Sequence, residues 1–242
     1  MKFLFVTLLS VLFAVATWAQ DDPLGIIKAM EKKMYPNAKT EMLLVHITSQ
    51  GEREEYKLVS YTKTNNQKII VRFTAPARMV GSDLIMLDRN VWAFDPASGR
   101  EVKIPTNLSF GGTGFSYGDV LRLNFSDNYV PVLQASDAQT WTLELTAKER
   151  DAPYYRIVLV IDRGFNPQKG TCYTRAGDLV KTMDYTEPKD QGAGTKPATI
   201  TVKSPLDEKE VSSLTIVKET RKDYPDNVFN KRNLSARLEE KL

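Results

Sequence analysis

Short runs in which apolar and polar residues alternate fill most of the sequence from residue 40 to residue 217. Leu43, Val45 and Ile47 begin the pattern, and further runs follow, separated by residues that favour turns. A two-residue period places the apolar side chains on one face of a strand. Strands this short, joined by turns, pair as antiparallel neighbours. We therefore predict a mainly β protein with about a dozen strands in a single large antiparallel sheet, curved or partly closed.

The stretch from residue 73 to residue 123 organises the rest of the chain. Three short apolar runs between residues 82 and 104 are separated by turns, and a glycine-rich segment follows at residues 111–114. That segment leads to Ser116 and Asp119, a pair typical of a helix start because each favours the free N–H groups of the first turn. The stretch predicts three strands, a loop and a short helix.

Outside the strands, three segments have other signals. Residues 23–34 carry apolar side chains at helical spacing after a capping residue and a proline, so we predict a helix there. Residues 190–197 have the composition of a loop. Near the end of the sequence, Phe229 and Leu234 predict a short helical turn that docks on the sheet. We find no repeat and no linker, so residues 20–242 read as one domain.

The first nineteen residues do not belong to that domain. Lys2 precedes an apolar stretch at residues 3–16, and residues 17–19 form a small-x-small site. This is the pattern of a secretory signal peptide, residues 1–19, and the apolar stretch is too short to span a membrane. Removal of Lys2 lowers the formal charge from +3 to +2, since the segment has no acid. A balance so near neutral does not favour nucleic acid as a partner.

The sequence lacks the motifs of the common catalytic classes. It has no Gly-x-Ser-x-Gly, His-Glu-x-x-His or Cys-x-x-Cys, and residues 111–114 lack the Gly-Lys-Ser/Thr ending of a phosphate loop. Cys172 and His46 are each the single residue of their type, and we interpret both as structural. We therefore predict a protein that is not an enzyme and has no cofactor or metal. Acid pairs that form only on folding leave a hydrolase acting on lipid or envelope polymer as an open alternative.

Much apolar and aromatic surface would lie on a sheet that has only two predicted helices, 23–34 and 116–123, to cover it. Such a face either packs as a solid core or leaves a cavity for acyl chains. Two helices over about a dozen strands favour a cavity. We predict that it is lined by Ile69, Val71, Phe73, Leu84, Met86, Trp92, Phe94, Phe115, Val120, Trp141 and Leu143.

Several motifs, taken in order, resemble the outer-membrane lipoprotein-sorting family, the LolA-like periplasmic carriers. They are Pro76 with Gly81-x-x-Leu84, Trp92-Ala93-Phe94-Asp95-Pro96, the basic residues Arg100 and Lys103, and Gly112-x-Gly114-Phe115-Ser116-Tyr117-x-Asp119. The resemblance implies that the single curved antiparallel sheet is an open half-barrel with a helical lid over a hydrophobic cavity. It places Ile69, Val71 and Phe73 on the inward strand and Trp92 and Phe94 on the family's Trp-x-aromatic-x-Pro strand. It implies a monomeric periplasmic carrier that binds lipoprotein acyl chains or other lipid and transfers them toward the outer membrane. The partners it implies are an inner-membrane transporter and an outer-membrane acceptor.

Two alternatives stay open at this stage. Residues 106–123 are predicted to be a movable lid, with Phe115, Val120 and Leu121 or Leu123 closing over the cavity; a fixed loop packed for stability is the other interpretation. The second concerns function, because exposed strand edges also suit a protein-binding accessory module of an envelope transporter of lipid or lipoprotein.

Overall fold

The computed structural model describes residues 21–63, 67–122, 124–190, 194–207 and 209–234. The predicted signal peptide, the hairpin turn that Asn65-Asn66 predicts, and Leu123 lie outside the described residues. Within them, thirteen strands form one antiparallel sheet. The strands are β1 (Ala38–Ile47), β2 (Arg53–Lys63), β3 (Lys68–Ala75), β4 (Leu84–Leu87), β5 (Asn90–Asp95), β6 (Arg100–Ile104), β7 (Tyr129–Ser136), β8 (Thr140–Ala147), β9 (Arg156–Asp162), β10 (Pro167–Tyr173), β11 (Leu179–Asp190), β12 (Thr195–Lys203) and β13 (Val211–Arg221).

The order of the strands explains where the lid has to lie. The sheet runs β6-β5-β4-β3-β2-β1-β13-β12-β11-β10-β9-β8-β7, which is two meanders joined where β1 pairs with β13. The sheet does not close, so β6 and β7 are its two edges although they are successive strands in the chain. The chain between them, residues 105–128, must therefore cross from one edge to the other. The predicted mainly β half-barrel is confirmed.

In the described part of the chain, three α-helices accompany the sheet: α1 (Pro23–Met34), α2 (Tyr117–Val120) and α3 (Phe125–Asn128). Asp22 caps α1, since its carboxylate accepts a bond of 3.1 Å from the Leu24 N–H. The predicted helix is correct, but its buried face includes Ile26, while Leu24 is 37% exposed. No helix among the described residues combines the length and the apolar character that a membrane crossing demands.

Two apolar clusters lie on opposite faces of the sheet. The inner cluster is the larger; it contains the buried side chains of α1, of the inner sheet face and of the crossing segment. The outer cluster packs Tyr61, Ile70 and Ile85 against the tail of the chain. Phe229 and Leu234 belong to this outer cluster, next to short 3₁₀ turns at residues 226–228 and 231–233, which confirms the predicted docking of the tail.

Two local predictions differ from the structure. Strand β11 extends to Asp190 and β12 begins at Thr195, so residues 190 and 195–197 of the predicted loop 190–197 pair as strand, while residues 191–193 lie outside the described residues. The sequence pattern does not predict strand β10, because the segment contains Pro167 and Gly170 and its apolar and polar residues alternate little. It forms because β9 and β11 provide hydrogen-bonding partners on both of its sides.

Candidate functional site

Residues 105–122, called the lid segment below, fold back on themselves above the inner face. Ser109 and Ser116 form an isolated antiparallel bridge, and the Phe110 N–H donates to the Phe115 carbonyl at 2.8 Å. A capping box begins α2: the Ser116 N–H donates to the Asp119 carboxylate at 2.6 Å, and the Asp119 N–H donates to Ser116 Oγ at 3.2 Å. The segment is therefore a folded unit rather than an extended connection.

Aromatic and aliphatic side chains attach the lid segment to the inner face. Phe110 stacks on Phe73 with ring centroids 5.6 Å apart, and Tyr56 and Tyr117 meet the Phe110 ring edge-on. Phe115, Val120 and Leu121 are buried in the inner cluster. Apolar contact of this kind has no directional requirement, so an acyl chain of suitable width could replace it.

A buried ion pair also links the lid segment to the sheet. The ammonium of Lys181, on β11, lies 2.5 Å from the Asp119 carboxylate and donates to the Gly114 carbonyl at 2.8 Å. The Tyr154 hydroxyl donates to the same carboxylate at 2.8 Å. Only 7% of the Lys181 side chain and 10% of the Asp119 side chain are exposed. The pair is thus largely removed from water, and loss of either partner would leave the other charge buried and unpaired, which is costly.

A second polar contact lies beside the first. The Gly114 N–H donates to Ser212 Oγ on β13 at 2.9 Å, and the same hydroxyl lies 2.9 Å from Nδ1 of the buried His46. Since Ser212 Oγ accepts from Gly114, its own proton can go to Nδ1. The other ring nitrogen of His46, Nε2, lies 3.9 Å from the Glu210 carboxylate. His46 thus has a structural role in supporting the contact to the lid segment.

Little empty space remains beneath the lid segment. The pocket between the lid segment, α3 and the sheet has a volume of about 30 Å³, enough for roughly two waters at 10–15 Å³ each. Pockets that hold drug-sized ligands measure about 300–1,000 Å³. A second, more open pocket of about 250 Å³ lies on another side of the lid segment, next to Lys181 and Val202. Neither pocket reaches the size of an ordinary ligand site, so we expect an acyl chain to enter the inner face only if the lid segment moves.

Comparison with known proteins identifies the fold. A family model described as an uncharacterized protein matches residues 65–236. The crystal structure of a LolA superfamily protein from Nitrosomonas europaea has a TM-score of 0.79 and 25% identity, over 88% of this chain and 99% of that one. This chain belongs to the LolA-like family. No curated protein sequence matches it.

Two further crystal structures have the same LolA-like fold. One, assigned as an outer membrane lipoprotein-sorting protein domain of Vibrio parahaemolyticus, has a TM-score of 0.74 and 18% identity, over 88% of this chain and 98% of that one. The other, a DUF1329 family protein from Desulfovibrio piger, has a TM-score of 0.73 and 18% identity, over 88% of this chain and 99% of that one. At that identity they support the fold alone.

Nine of the eleven predicted cavity residues lie together in the inner cluster of this LolA-like chain. These nine are Ile69, Val71, Phe73, Leu84, Met86, Phe115, Val120, Trp141 and Leu143. Of them, only Phe115 lines the small pocket beneath the lid segment. The other eight pack in the inner cluster and do not line that pocket.

Trp92 and Phe94 were predicted to line the cavity, but they lie on the other face of the sheet. Both pack in the outer cluster, whereas Val91 and Ala93, their neighbours on β5, pack in the inner one. The reason is the strand period: successive side chains point to opposite faces, and β5 is apolar on both. Trp92 stands opposite Ile85 in the ladder, and the Lys231 ammonium lies 4.7 Å from its ring centroid. These two aromatics therefore bind the tail rather than a cavity.

The pocket is also lined by polar residues that the sequence pattern does not predict as cavity residues, among them Tyr35, Arg122, Tyr154 and Tyr185. The period-two rule could have found part of this set, since Lys181 alternates with Met183 and Tyr185, and all three are buried on β11. Arg122 gives no comparable signal, because nothing in its neighbours predicts a buried arginine.

Burial raises the pKa values of several side chains in and around the pocket. It raises the pKa of Tyr35 to about 12. Burial, and then the nearby charge of Asp119, raise the pKa of Tyr154 well above its usual value. Burial likewise raises the pKa of the Cys172 thiol, so this buried cysteine stays protonated, consistent with a structural role. Within the described residues, no group of three or more His, Cys, Asp or Glu side chains could hold a metal ion.

The start of α2 leaves no room for a side chain at Gly118. A Cβ there would lie 2.7 Å from Pro153 Cγ and 3.2 Å from the Thr106 carbonyl. We expect Gly118→Ala to lower the free energy of unfolding by about 1–3 kcal/mol through overpacking, measured by denaturant titration.

The matched control is Gly170→Ala on β10. Its Cβ would meet the Met183 Cε at 3.1 Å, the far end of a flexible side chain that can turn away. We expect that variant to lose much less stability. Equal losses in the two variants would contradict the tight fit of α2 against Pro153.

Proposed function

We propose that this protein is a non-catalytic carrier, whose inner sheet face binds the acyl chains of a lipoprotein or of another lipid. The observation that supports this most directly is how that face is covered. Helix α1 covers one part of it, and the lid segment covers another, attached by exchangeable apolar contacts and by a few polar ones from Lys181, Tyr154 and Ser212. A permanent core is normally closed by packed helices or sheets, so the part of the cover that is mostly a connecting segment suits a face that opens.

The proposed cycle exchanges one apolar partner for another. When the lid segment swings away, Phe73 and its neighbours lose the stack with Phe110, and an acyl chain takes its place. Each buried methylene contributes about 0.8 kcal/mol, so a long chain can offset the contacts that the lid segment gives up. Release reverses this exchange at a site that receives the lipid. No bond is made or broken in either direction.

The location and direction of transfer are part of the proposal. A signal peptide at residues 1–19 would export the protein to the periplasm, and the LolA-like family to which the chain belongs suggests transfer toward the outer membrane. An inner-membrane transporter as donor and an outer-membrane acceptor would be the partners.

Lipid co-purification tests the proposal. We expect protein purified from the periplasm, without detergent, to carry lipid that native mass spectrometry and solvent extraction detect. We also expect it to take up cis-parinaric acid or its methyl ester, whose fluorescence rises on transfer into an apolar site. If the purified protein carries no lipid and takes up neither probe, the carrier proposal is refuted.

The edge strand β7 favours a second candidate, a protein-binding accessory module. Val130 and Val132 are 51% and 50% exposed on this strand, beside a free edge that could pair with another chain. Crosslinking in cells separates the two candidates. A stoichiometric membrane-protein partner, with no lipid in the purified protein, would favour the module over the carrier.

A further inference from the structure

Arginine and tyrosine side chains meet in a further pocket, between the loop that joins β8 to β9 and the turn that joins β10 to β11. The pocket has a volume of about 240 Å³, which is room for a phosphate group together with several waters. We call it the rim pocket, and its lining includes Arg150, Pro153, Tyr154, Tyr155, Tyr173 and Arg175.

The turn between β10 and β11 holds Arg175 in place at this pocket. The turn is closed at Thr174, whose N–H donates to the Asp178 carbonyl at 2.9 Å and whose hydroxyl donates to the Asp178 carboxylate at 3.1 Å. The guanidinium carbon of Arg175 lies 4.3 Å from the centre of the Tyr155 ring. A guanidinium stacked on an aromatic ring can still direct the N–H groups along its edge to an anion.

Arg150 lines the same pocket from the loop between β8 and β9. Both arginines are exposed, and among the described residues neither guanidinium has a hydrogen bond or a carboxylate partner. Glu149 also lines the pocket, but its carboxylate lies 3.8 Å from the Arg89 guanidinium. The two cations of the rim pocket are therefore available to an anion from outside the chain.

We propose that the rim pocket binds a phosphate group, and that this group is the head group of the lipid whose acyl chains the inner face takes up. A phosphate carries several oxygens, so it can accept from the forks of two guanidinium groups at once. Clusters of arginines are a recurring means by which proteins recognise phosphate groups.

Tyr154 places the rim pocket beside the route into the inner face. Its side chain lines both the rim pocket and the small pocket beneath the lid segment, and its hydroxyl donates to Asp119 of the lid segment at 2.8 Å. Pro153 lines both pockets too, and it packs closely against the start of α2 at Gly118. A lipid held by its phosphate in the rim pocket would therefore have its acyl chains next to the lid segment when that segment opens. This inference rests on the proposed carrier function and makes the cargo more specific.

Three soluble probes test the phosphate site and separate its two possible sources. Purified protein is titrated calorimetrically at neutral pH with dihexanoyl phosphatidic acid, with dihexanoylglycerol and with inorganic phosphate. We expect phosphatidic acid to bind at least about 10-fold more tightly than dihexanoylglycerol, the effect of charge-assisted hydrogen bonds. We expect inorganic phosphate to bind more weakly than phosphatidic acid, because it has no acyl chains to bury.

Substitutions in the rim pocket should act on the phosphate alone. We expect Arg150→Gln and Arg175→Gln each to weaken binding of phosphatidic acid by about 5-fold or more and to leave dihexanoylglycerol unchanged. Tyr155 is a positioning residue for Arg175, so Tyr155→Leu should weaken phosphatidic acid by about 3-fold. Tyr155→Phe keeps the ring and should retain the affinity of the wild type.

Arg156→Gln is the matched control. The Arg156 guanidinium also stacks on a tyrosine, 3.9 Å from the centre of the Tyr173 ring, but it donates to the Glu144 carboxylate at 3.2 Å. Since its charge is matched within the protein, its loss should leave all three affinities unchanged. Thermal unfolding of each variant establishes that it folds.

Each contrary result overturns a different part of the proposal. Equal affinity of the wild type for phosphatidic acid and dihexanoylglycerol would overturn the phosphate site and leave the carrier proposal standing. Inorganic phosphate that binds as tightly as phosphatidic acid would overturn the lipid as the source of the phosphate. Binding of neither lipid probe would count against the lipid assignment and the carrier proposal together.

Discussion

A disulfide between residues 114 and 212 is expected to stop lipid uptake when it is oxidised and to restore uptake when it is reduced. A Cβ built on Gly114 lies 3.7 Å from Ser212 Cβ, within the roughly 3.5–4.5 Å that a disulfide spans. Gly114 belongs to the lid segment and Ser212 to β13, so the bond would fix one to the other. Val202 Cγ1, at 3.1 Å from the new Cβ, has to shift by a few tenths of an ångström.

The expected effect is large because the closed pocket cannot hold an acyl chain. Its volume of about 30 Å³ is at least about ten times smaller than an ordinary ligand pocket. We expect the oxidised Gly114→Cys/Ser212→Cys protein to load cis-parinaric acid at least about 100-fold more slowly than the same protein after reduction. Stopped-flow fluorescence measures both rates on one preparation.

The two single variants, Gly114→Cys and Ser212→Cys, control for the lost hydroxyl and the added side chain, and neither should respond to oxidant. Cys172 does not interfere, since it is buried and burial raises the pKa of its thiol. If the oxidised double variant loads as fast as the reduced one, the lid segment does not gate the inner face. The fixed-loop interpretation of residues 106–123 would then be the correct one.

The sequence predicted the sheet well because its strands are mostly apolar on one face. On β8, Trp141, Leu143 and Leu145 are all buried and alternate with partly exposed residues, as a two-residue period requires. The capping box of Ser116 and Asp119 was also readable, because cap geometry depends only on residues three apart. Local signals thus determined the strands and the start of α2.

The features that depend on distant parts of the chain could not be predicted in this way. Trp92 and Phe94 face outward because the tail around Phe229 covers that side of the sheet, and an alternating pattern cannot choose between two covered faces. Arg122 is buried because the lid segment crosses from β6 to β7, a consequence of strand order. The position of the pocket and its polar lining follow from the same crossing.

Two buried lysines, each replaced by methionine in a separate variant, are expected to show different effects: one on the stability of the sheet, the other mainly on the opening of the lid segment. Lys196 on β12 pairs with Glu219 on β13, with side chains 3% and 1% exposed. Lys196→Met leaves that carboxylate buried without its cation, which costs about 3–5 kcal/mol. Because both partners lie in the sheet, we expect the whole loss in the global free energy of unfolding, measured by denaturant titration.

Lys181→Met should act differently, because its partner Asp119 is on the lid segment. The lid segment can open locally and hydrate Asp119 at a lower cost than global unfolding. We expect a smaller loss of global stability than in Lys196→Met, faster hydrogen exchange at the amides of residues 113–121, and loading of cis-parinaric acid at least about 10-fold faster than in the wild type.

Lys196→Met is the matched control for loading, since it removes a buried lysine and leaves the lid contacts in place. Equal global losses and unchanged loading in both variants would show that the lid segment unfolds only with the sheet. The acyl chain would then have no route to the inner face, because the Phe110–Phe73 stack would persist for as long as the protein stays folded.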